Sequence, residues 1–308
     1  MEDRLVPLNA LLALTLGHGG WPPLLGDAGF RLHLIEAPVQ TSLGPVVVDV
    51  ILVREEPPCV LLCEAKSGAN ISNPQAQRYA QADWRSLERA GSEPPALRGV
   101  PDVPVGALFA TLEVHRDRVA LGLTKLKLDI PILSITPGGA VTVVGAGAVG
   151  IPDTFDLPVP GLPPAIVPAD EHSQVEVLLD PVRAQLVAAM ARREHALDLE
   201  VLCGGVFPQW QAFGRGARST LRKKVWAACR ALERAELKGR VRSEQGGGLD
   251  KRVAILKSPE TFDPRGRTQG YQRLQREAAG AGGRVPKPPM KDQLSLDDMA
   301  ESGGLGDE

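Results

Sequence analysis

Apolar residues recur through the first half of the chain at the spacing of one helix followed by several strands. Leucines at positions 5, 8, 12 and 16 lie three or four residues apart and predict an opening helix. Apolar runs then predict strands over residues 30–39, 46–53, 59–66, 105–112, 130–136 and 140–144, with a helix over 75–90. One helix, three strands, a helix and further strands predict an α/β domain over residues 1–145.

The second half changes its pattern after residues 146–170, a segment rich in Pro and Gly that predicts a linker. Helical spacing returns over 175–195, 197–203 and 218–237, and two β-prone runs at 239–242 and 252–256 flank a Gly-rich turn. Residues 171–258 are therefore predicted to form a second, α+β domain. From 259 to 308 the periodicity is lost, apart from a short helical pattern over 269–279, which predicts a mostly disordered tail with an acidic end.

Three charged residues interrupt the apolar hairpin of residues 46–66. Asp49 lies in its first strand, and Glu64 and Lys66 lie on one face of its second strand. If the turn is centred between residues 56 and 57, Asp49 is directly opposite Glu64. Burying a charge costs several kcal/mol unless the charge is paired or bound to a metal. The pattern therefore predicts either a metal site or an ion pair at this point of the sheet.

A divalent metal fits these residue types. Mg2+ (or Mn2+) takes oxygen ligands, commonly one or two carboxylates completed by water and phosphate. Asp49 and Glu64 would supply the carboxylates, and the backbone carbonyl of Ala65 would add an oxygen. Lys66 would orient or deprotonate the attacking water and offset charge in the transition state. The alternative is a cross-strand ion pair of Glu64 with Lys66 or Arg54, a contact more typical of solvated faces than of apolar runs.

The pattern Val48-Asp49 followed by Glu64-Ala65-Lys66 resembles the PD-(D/E)XK nuclease superfamily. Its restriction-endonuclease-like core places an Asp on one strand and a (D/E)xK motif on the next, and Val48 stands where the family name has Pro. The resemblance implies an α/β fold with a mixed sheet flanked by helices. It also implies that Asp49 and Glu64 hold the metal and that Lys66 takes part in catalysis.

The helix predicted after this hairpin extends the resemblance. Gln75 and Tyr79 lie four residues apart, so they share one helix face, and they match the QxxxY pattern of some members, such as the exonuclease domains of recombination helicases. The resemblance implies that both side chains line the catalytic site. Many members carry a further acidic residue before the first strand. Here the candidates are Glu2 and Asp3 at the N-terminus and Glu36 on the first predicted strand, so the number of metal ions stays open between one and two.

Composition excludes several other classes. With 308 residues, 43% of them hydrophobic, the chain can bury two cores. The four cysteines have no CxxC spacing, and the sequence has no signal peptide or long apolar span, which predicts a reduced, cytoplasmic protein without membrane contact. A GxGxxG run at 145–150 is followed by several prolines, so the helix that a dinucleotide site requires is not expected.

Charge divides the chain into two unlike parts. Residues 1–150 contain 15 acidic and 12 basic residues, net -3, whereas residues 198–273 contain 8 acidic and 16 basic residues, net +8. A basic domain predicts a partner rich in phosphate.

Three helices followed by a hairpin resemble a winged helix, in which the third helix enters the major groove and the hairpin lies on the adjacent backbone. The resemblance implies nucleic-acid binding by Arg215, Arg218, Arg222, Lys223, Lys224, Arg242, Lys251 and Arg252. The alternative is a solvated basic face used for protein contacts.

These patterns lead to one functional prediction, a Mg2+-dependent DNA nuclease that hydrolyses phosphodiester bonds with a metal-activated water and is targeted by a winged-helix module. The alternative is a non-catalytic DNA-binding regulator whose N-terminal domain mediates assembly. DNA or RNA as substrate, and endo or exo action, stay open.

Two further partners are candidates. A nuclease that cuts both strands is often dimeric, so a second copy of the chain is one of them. The other is the sliding clamp, because Gln293-Leu294-Ser295-Leu296 is similar to the linear motif by which bacterial replication proteins bind it, although Asp297 replaces the usual aromatic residue. An acidic tail that shields the basic domain is the alternative reading of the same segment.

Overall fold

A computed structural model describes residues 5–138, 140–145, 156–158, 161–246 and 251–256. The first lobe contains, in chain order, α1 (Val6–Leu16), α2 (Leu24–Asp27), β1 (Arg31–Thr41), β2 (Gly44–Arg54), β3 (Cys59–Lys66), α3 (Asn73–Ala80), α4 (Trp84–Ala90), β4 (Val105–Leu112), α5 (Glu113–Lys125), β5 (Ile132–Thr136), β6 (Ala140–Val144) and β7 (Asp156–Pro158). The predictions over 269–279 and 293–296 and the GxGxxG run beyond Gly145 lie outside the described residues.

The strands of this lobe form one sheet in the order β1 to β7. Pairing is antiparallel from β1 to β3, parallel from β3 to β5, and antiparallel again from β5 to β7. An α/β lobe with a mixed sheet flanked by helices is therefore confirmed.

The predicted single helix over 75–90 is wrong, because Asp83 accepts the Ser86 N–H at 2.8 Å and caps a new helix, α4. Helix α5 was not predicted, since only Val119 and Leu123 of its residues are buried.

The sheet separates two hydrophobic cores. The first core lies on the face covered by α1 and includes Leu61, Leu108 and Leu133 of the central strands. The second core lies beneath α3, α4 and α5 and includes Val60 and Leu62. Strand β3 is thus buried on both faces, as expected for a strand with a parallel neighbour, and its continuous apolar run follows from that position. None of the described helices has the length and apolar character that crossing a bilayer requires.

The second lobe combines three longer helices with a small sheet. Its elements are α6 (Leu179–Ala191), β8 (Ala196–Asp198), α7 (Leu199–Val206), α8 (Arg215–Arg234), β9 (Val241–Gln245) and β10 (Lys251–Ile255). The sheet order is β8-β10-β9, with antiparallel pairing throughout. The helix predicted over 175–195 is shorter than expected, because residues 175–178 form a 3-10 turn. The helix predicted over 197–203 begins and ends later, at Leu199–Val206, because residues 196–198 pair with β10 as a strand.

The two lobes share the first core and two polar contacts. Asn9 of α1 is fully buried, and its side-chain amide donates to the Val167 carbonyl at 3.0 Å while its oxygen accepts the Val167 N–H at 2.7 Å. On the outer edge of β1, the Gly214 N–H donates to the Ile35 carbonyl at 2.7 Å. Residues 161–170, which belong to the segment predicted as a linker, include the buried Ile166 and Val167, so this stretch contributes to the shared core.

We expect Gly214→Ala to destabilise the protein. A Cβ at this position would lie 2.4 Å from the Glu36 carbonyl oxygen, a backbone atom of β1 that cannot move without distorting the strand. The expected loss is about 1–3 kcal/mol in the free energy of unfolding, measured by urea denaturation. Gly216→Ala is the matched control, because the space around Gly216 is open and Ala favours a helix over Gly by about 0.5–1 kcal/mol. Equal stability of the two variants would contradict the close approach.

Candidate active site

Strands β2 and β3 bring the predicted acidic residues to one point of the sheet. Their antiparallel register pairs Val50 with Cys63 and Arg54 with Cys59, so the turn is centred between residues 56 and 57 as the sequence predicts. The next position along the same register places Asp49 opposite Glu64. Lys66 follows on the same face of β3, where the strand reaches its end.

Glu64 is a buried carboxylate, with only 4% of its surface exposed. Its Oε1 accepts from Lys66 Nζ at 2.6 Å and from Gln75 Nε2 at 2.8 Å, and its Oε2 accepts from Tyr79 Oη at 2.5 Å. Gln75 also accepts from Lys66 Nζ at 2.8 Å through its Oε1, so its amide bridges the two charged groups. Both oxygens of Glu64 are therefore satisfied, which removes most of the cost of burying the charge.

Helix α3 supplies Gln75 and Tyr79 from one face, as their spacing predicts. Pro74 lies in its first turn, where a missing N–H is not a loss, and six residues separate the end of β3 from the start of the helix. Tyr79 is buried and packs edge-to-face on Phe109 of β4, with ring centroids 5.6 Å apart. Burial and the nearby Glu64 charge raise the pKa of Tyr79 well above its usual value, so its hydroxyl remains a donor to Glu64 at neutral pH.

Asp49 is only partly buried and makes a different contact. Its Oδ2 accepts the Ala65 N–H at 2.6 Å. Burial raises the pKa of Asp49 well above its usual value, and the negative charge of Glu64 raises it further, whereas the Ala65 hydrogen bond and the Lys66 charge act in the opposite direction. With Asp49 ionised, the two carboxylates would carry more negative charge than the single lysine balances, which is the condition that favours a bound cation.

The contact of Ala65 differs from the one predicted for it. The sequence predicted a role for its carbonyl oxygen, and the observed contact to Asp49 is made by its N–H. The N–H and C=O of one strand residue point to the same side, so the carbonyl also faces β2. Ala65 thus stays a candidate ligand.

Glu36 belongs to this neighbourhood although the sequence left its place open. It lies on β1 between Ile35, which pairs with Val50, and Ala37, which pairs with Val48, so it is opposite Asp49. Its backbone has φ 49°, a left-handed conformation that is uncommon for a residue with a side chain. The negative charge of Glu36 adds to the causes that raise the pKa of Asp49. The other two acidic candidates, Glu2 and Asp3, lie outside the described residues.

Asp49 and Glu64 fit a Mg2+ ion by their chemistry. Within the described part of the chain, no three His, Cys, Asp or Glu side chains are grouped closely enough to hold a metal by themselves. Mg2+ usually needs only one or two carboxylates, because water and substrate phosphate complete its ligands. Among the described residues Asp49 Oδ1 has no hydrogen-bond donor, and Glu64 Oε1 would become available if Lys66 or Gln75 turned toward the substrate.

The predicted basic residues divide into two groups. Three form ion pairs: Arg222 with Glu200, and both Arg242 and Arg252 with Glu244. All of these paired residues except Arg242 line a groove of about 670 Å³ between α7 and the β9–β10 hairpin. The partner of Arg222 was not foreseen from the sequence, because Glu200 lies on another helix and nothing local to Arg222 identifies it.

The other basic residues have neutral partners or none. Lys224 donates to the Ser173 carbonyl, Arg218 donates to Gln211 at 3.3 Å, and Lys251 lies 5.3 Å from the centre of the Trp226 ring. Among the described residues, the exposed Arg215 and Lys223 have no hydrogen-bond or ion-pair partner. These two cations are therefore the most available to an external phosphate.

Comparisons with models of protein families, with curated proteins and with solved structures find no match to this chain.

Replacement of Asp49 by Asn should stabilise the protein, and the gain should grow with pH. The pKa of Asp49 is higher in the folded protein than in the unfolded chain. The free energy of unfolding therefore falls as pH rises from the unfolded pKa toward the folded pKa, because the folded protein must give up a proton that it binds more tightly. Asn keeps an acceptor for the Ala65 N–H and carries no charge. We expect Tm of Asp49→Asn to exceed that of the wild type by about 2–4 °C at pH 8, equivalent to about 1 kcal/mol, and by less at pH 4.5.

Asp83→Asn is the matched control for this comparison. The hydrogen bond from the Ser86 side chain lowers the pKa of the exposed Asp83, so its charged form is favoured in the folded state. Its replacement should therefore give no gain that grows with pH. An Asp49→Asn protein no more stable than the wild type at pH 8 would contradict the raised pKa of Asp49.

Proposed function

We propose that the protein is a Mg2+-dependent (or Mn2+-dependent) nuclease that hydrolyses phosphodiester bonds of DNA. The observation that carries the proposal is the buried Glu64 carboxylate, which Lys66, Gln75 and Tyr79 hold beside Asp49. A purely structural ion pair would not explain why a second carboxylate with a raised pKa stands on the neighbouring strand.

The order of elements supports the same proposal. α1, β1, β2, β3, α3 and β4 follow one another with an antiparallel meander and then a parallel β3–β4 pair, which is the order expected of a restriction-endonuclease-like core. The acidic residues and Lys66 lie on β2 and β3, at the positions where the PD-(D/E)XK pattern has them. Fold likeness alone does not establish activity, so the weight rests on the side-chain network.

Each side chain has a separate task in this proposal. Asp49 and Glu64 would hold the metal ion, which when bound supplies positive charge near the scissile phosphate and lowers the pKa of a water molecule. Two of the three ammonium N–H bonds of Lys66 point to Glu64 and Gln75, so the third can donate to the attacking water or to a phosphate oxygen. Gln75 fixes the direction of Lys66, and Tyr79 keeps the far oxygen of Glu64 in place.

The second lobe supports DNA as the partner. α6, β8, α7, α8, β9 and β10 follow in the order of a winged helix, with α8 in the place of the helix that enters the major groove. Helix α8 has seven basic residues and one acidic residue over its 20 positions. A helix of that charge attracts a phosphate backbone regardless of base sequence.

Loss of Lys66 or of the Asp49 charge should abolish cleavage, and the Tm of each variant establishes that the protein tested is folded. Purified wild type, Asp49→Asn and Lys66→Ala are incubated with supercoiled, linear duplex and single-stranded DNA, with Mg2+, with Mn2+ or with EDTA. We expect metal-dependent cutting by the wild type and a loss of about 100-fold or more in both variants, because each removes charge stabilisation at the reacting phosphate.

Lys125→Ala, which removes an exposed lysine of α5, should cut at the wild-type rate. DNA binding by all four proteins without any cutting would instead favour the non-catalytic regulator.

Metal binding can be measured without cleavage. At pH 8 without DNA, Mg2+ at ten times its Kd should raise the stability of the wild type by about 1.4 kcal/mol, and it should leave Asp49→Asn unchanged. Asp83→Asn should respond as the wild type does, since Asp83 caps α4 away from the network. An equal response of the wild type and Asp49→Asn would place the metal elsewhere.

A further inference from the structure

The start of α8 lies against the outer edge of the same sheet that holds the candidate active site. Phe213 pairs with Ile35 as a short parallel bridge, and the Gly214 N–H donates to the Ile35 carbonyl at 2.7 Å. The absence of a side chain at Gly214 allows its backbone to approach the Glu36 carbonyl. Residues 213–214 thus occupy the position of one more strand beside β1.

This contact places the basic helix in line with the acidic residues. Across the sheet, Gly214 is next to Glu36, Glu36 is opposite Asp49, and Asp49 is opposite Glu64. Adjacent strands are about 4.8 Å apart, so the Gly214 backbone lies about 10 Å from that of Asp49. Arg215 is the next residue, and one peptide step adds about 3.8 Å between Cα atoms. Arg215 is therefore at most about 14 Å from Asp49, measured between Cα atoms.

Arg215 is also free to bind an external anion. It is exposed and has no polar partner among the described residues, whereas Arg222, Arg242 and Arg252 are paired with carboxylates. A phosphate could engage Arg215 without displacing an internal partner. Binding at the paired arginines would first have to break their ion pairs with Glu200 or Glu244.

We infer that Arg215 binds a backbone phosphate of the strand that is cleaved, no more than about four nucleotides from the scissile phosphate. A Cα separation of about 14 Å corresponds to about four nucleotides of one strand, at about 3.4 Å of helix axis per nucleotide. The inference rests on the proposed nuclease function. It makes α8 and the acidic residues one continuous surface for duplex DNA, so that the second lobe sets which phosphodiester reaches Asp49 and Glu64.

The test uses the full chain and duplexes that carry a single neutral methylphosphonate at successive positions on either side of the cut. We expect one position within four nucleotides of the cut to lower kcat/KM of the wild type about tenfold. Arg215→Ala should lose about tenfold on the unmodified duplex and should show no further loss at that position, because the two changes remove the same contact. Arg215→Lys should recover part of the activity on unmodified DNA, since it keeps the charge.

Lys223→Ala is the matched control. Lys223 is another exposed cation of α8 without a polar partner among the described residues, and it lies eight residues farther along the helix, about 12 Å from Arg215. Lys223→Ala should bind DNA more weakly than the wild type, but a methylphosphonate at the position assigned to Arg215 should still lower its kcat/KM about tenfold. The Tm of each variant confirms that the fold is retained.

The outcomes separate the inference from the function on which it rests. If the wild type cuts, and a methylphosphonate at each position lowers kcat/KM of Arg215→Ala by the same factor as for the wild type, the Arg215 contact is refuted and the proposed nuclease function is retained. The Arg215 contact is likewise refuted if methylphosphonates lower kcat/KM only at positions more than four nucleotides from the cut. A wild type that cuts no DNA with either metal overturns both the proposed function and the inference.

Discussion

The burial of the Glu64 carboxylate constrains much of the surrounding structure. A charge inside an apolar sheet is tolerated only if its oxygens are satisfied, and Glu64 uses donors from its own strand and from α3 to achieve this. Lys66 must therefore follow two residues later on the same face, and α3 must begin soon after β3. The same arrangement leaves Asp49 beside a second negative charge, so the stability of the sheet and the attraction of a cation are linked.

The side chains of the β1–β2 hairpin switch from one face of the sheet to the other at the candidate active site. Ile35 belongs to the first core and Ala37 to the second, although residues two apart in a regular strand share a face. Val50 and Val48 on β2 divide in the same way. Glu36 and Asp49 stand at this crossing, where the left-handed backbone of Glu36 interrupts the ladder. The register of β1 and β2 is also irregular between Leu32 and Leu34, and bulges redirect side chains and are frequent beside functional sites. The crossing allows one hairpin to serve both cores and still direct two acidic side chains to the same place.

The sequence predicts the hairpin of β2 and β3 well because its information is local. Continuous apolar runs, a turn rich in Glu and Pro, and the four-residue spacing of Gln75 and Tyr79 define the register and the helix face without knowledge of the remaining chain. The break between α3 and α4 was missed because a single capping residue, Asp83, outweighed the helical character on either side. Strand β8 was missed because three residues carry too little periodicity to be recognised.

Contacts between distant parts of the chain could not be predicted. Asn9 and Val167 are 158 residues apart, and nothing in either segment identifies the other. The same holds for Glu36 and Gly214, whose proximity depends on how the second lobe packs on β1, and for Arg222, whose acidic partner lies on another helix. Local patterns thus reveal the candidate chemistry, whereas the surroundings that adjust its charge arise from packing.

The outer edge of β1 has one more consequence. An unpaired edge strand is a template for joining sheets between molecules, yet here two carbonyl groups of β1 already have intramolecular donors. Gly214 donates to Ile35, and the Ser92 hydroxyl donates to the Pro38 carbonyl at 2.7 Å. These intramolecular hydrogen bonds disfavour edge-to-edge association between molecules. Two copies of the protein that paired their sheets through the middle of β1 would first have to release the start of α8, so self-assembly by this route would separate the row of residues on which the proposed chemistry depends.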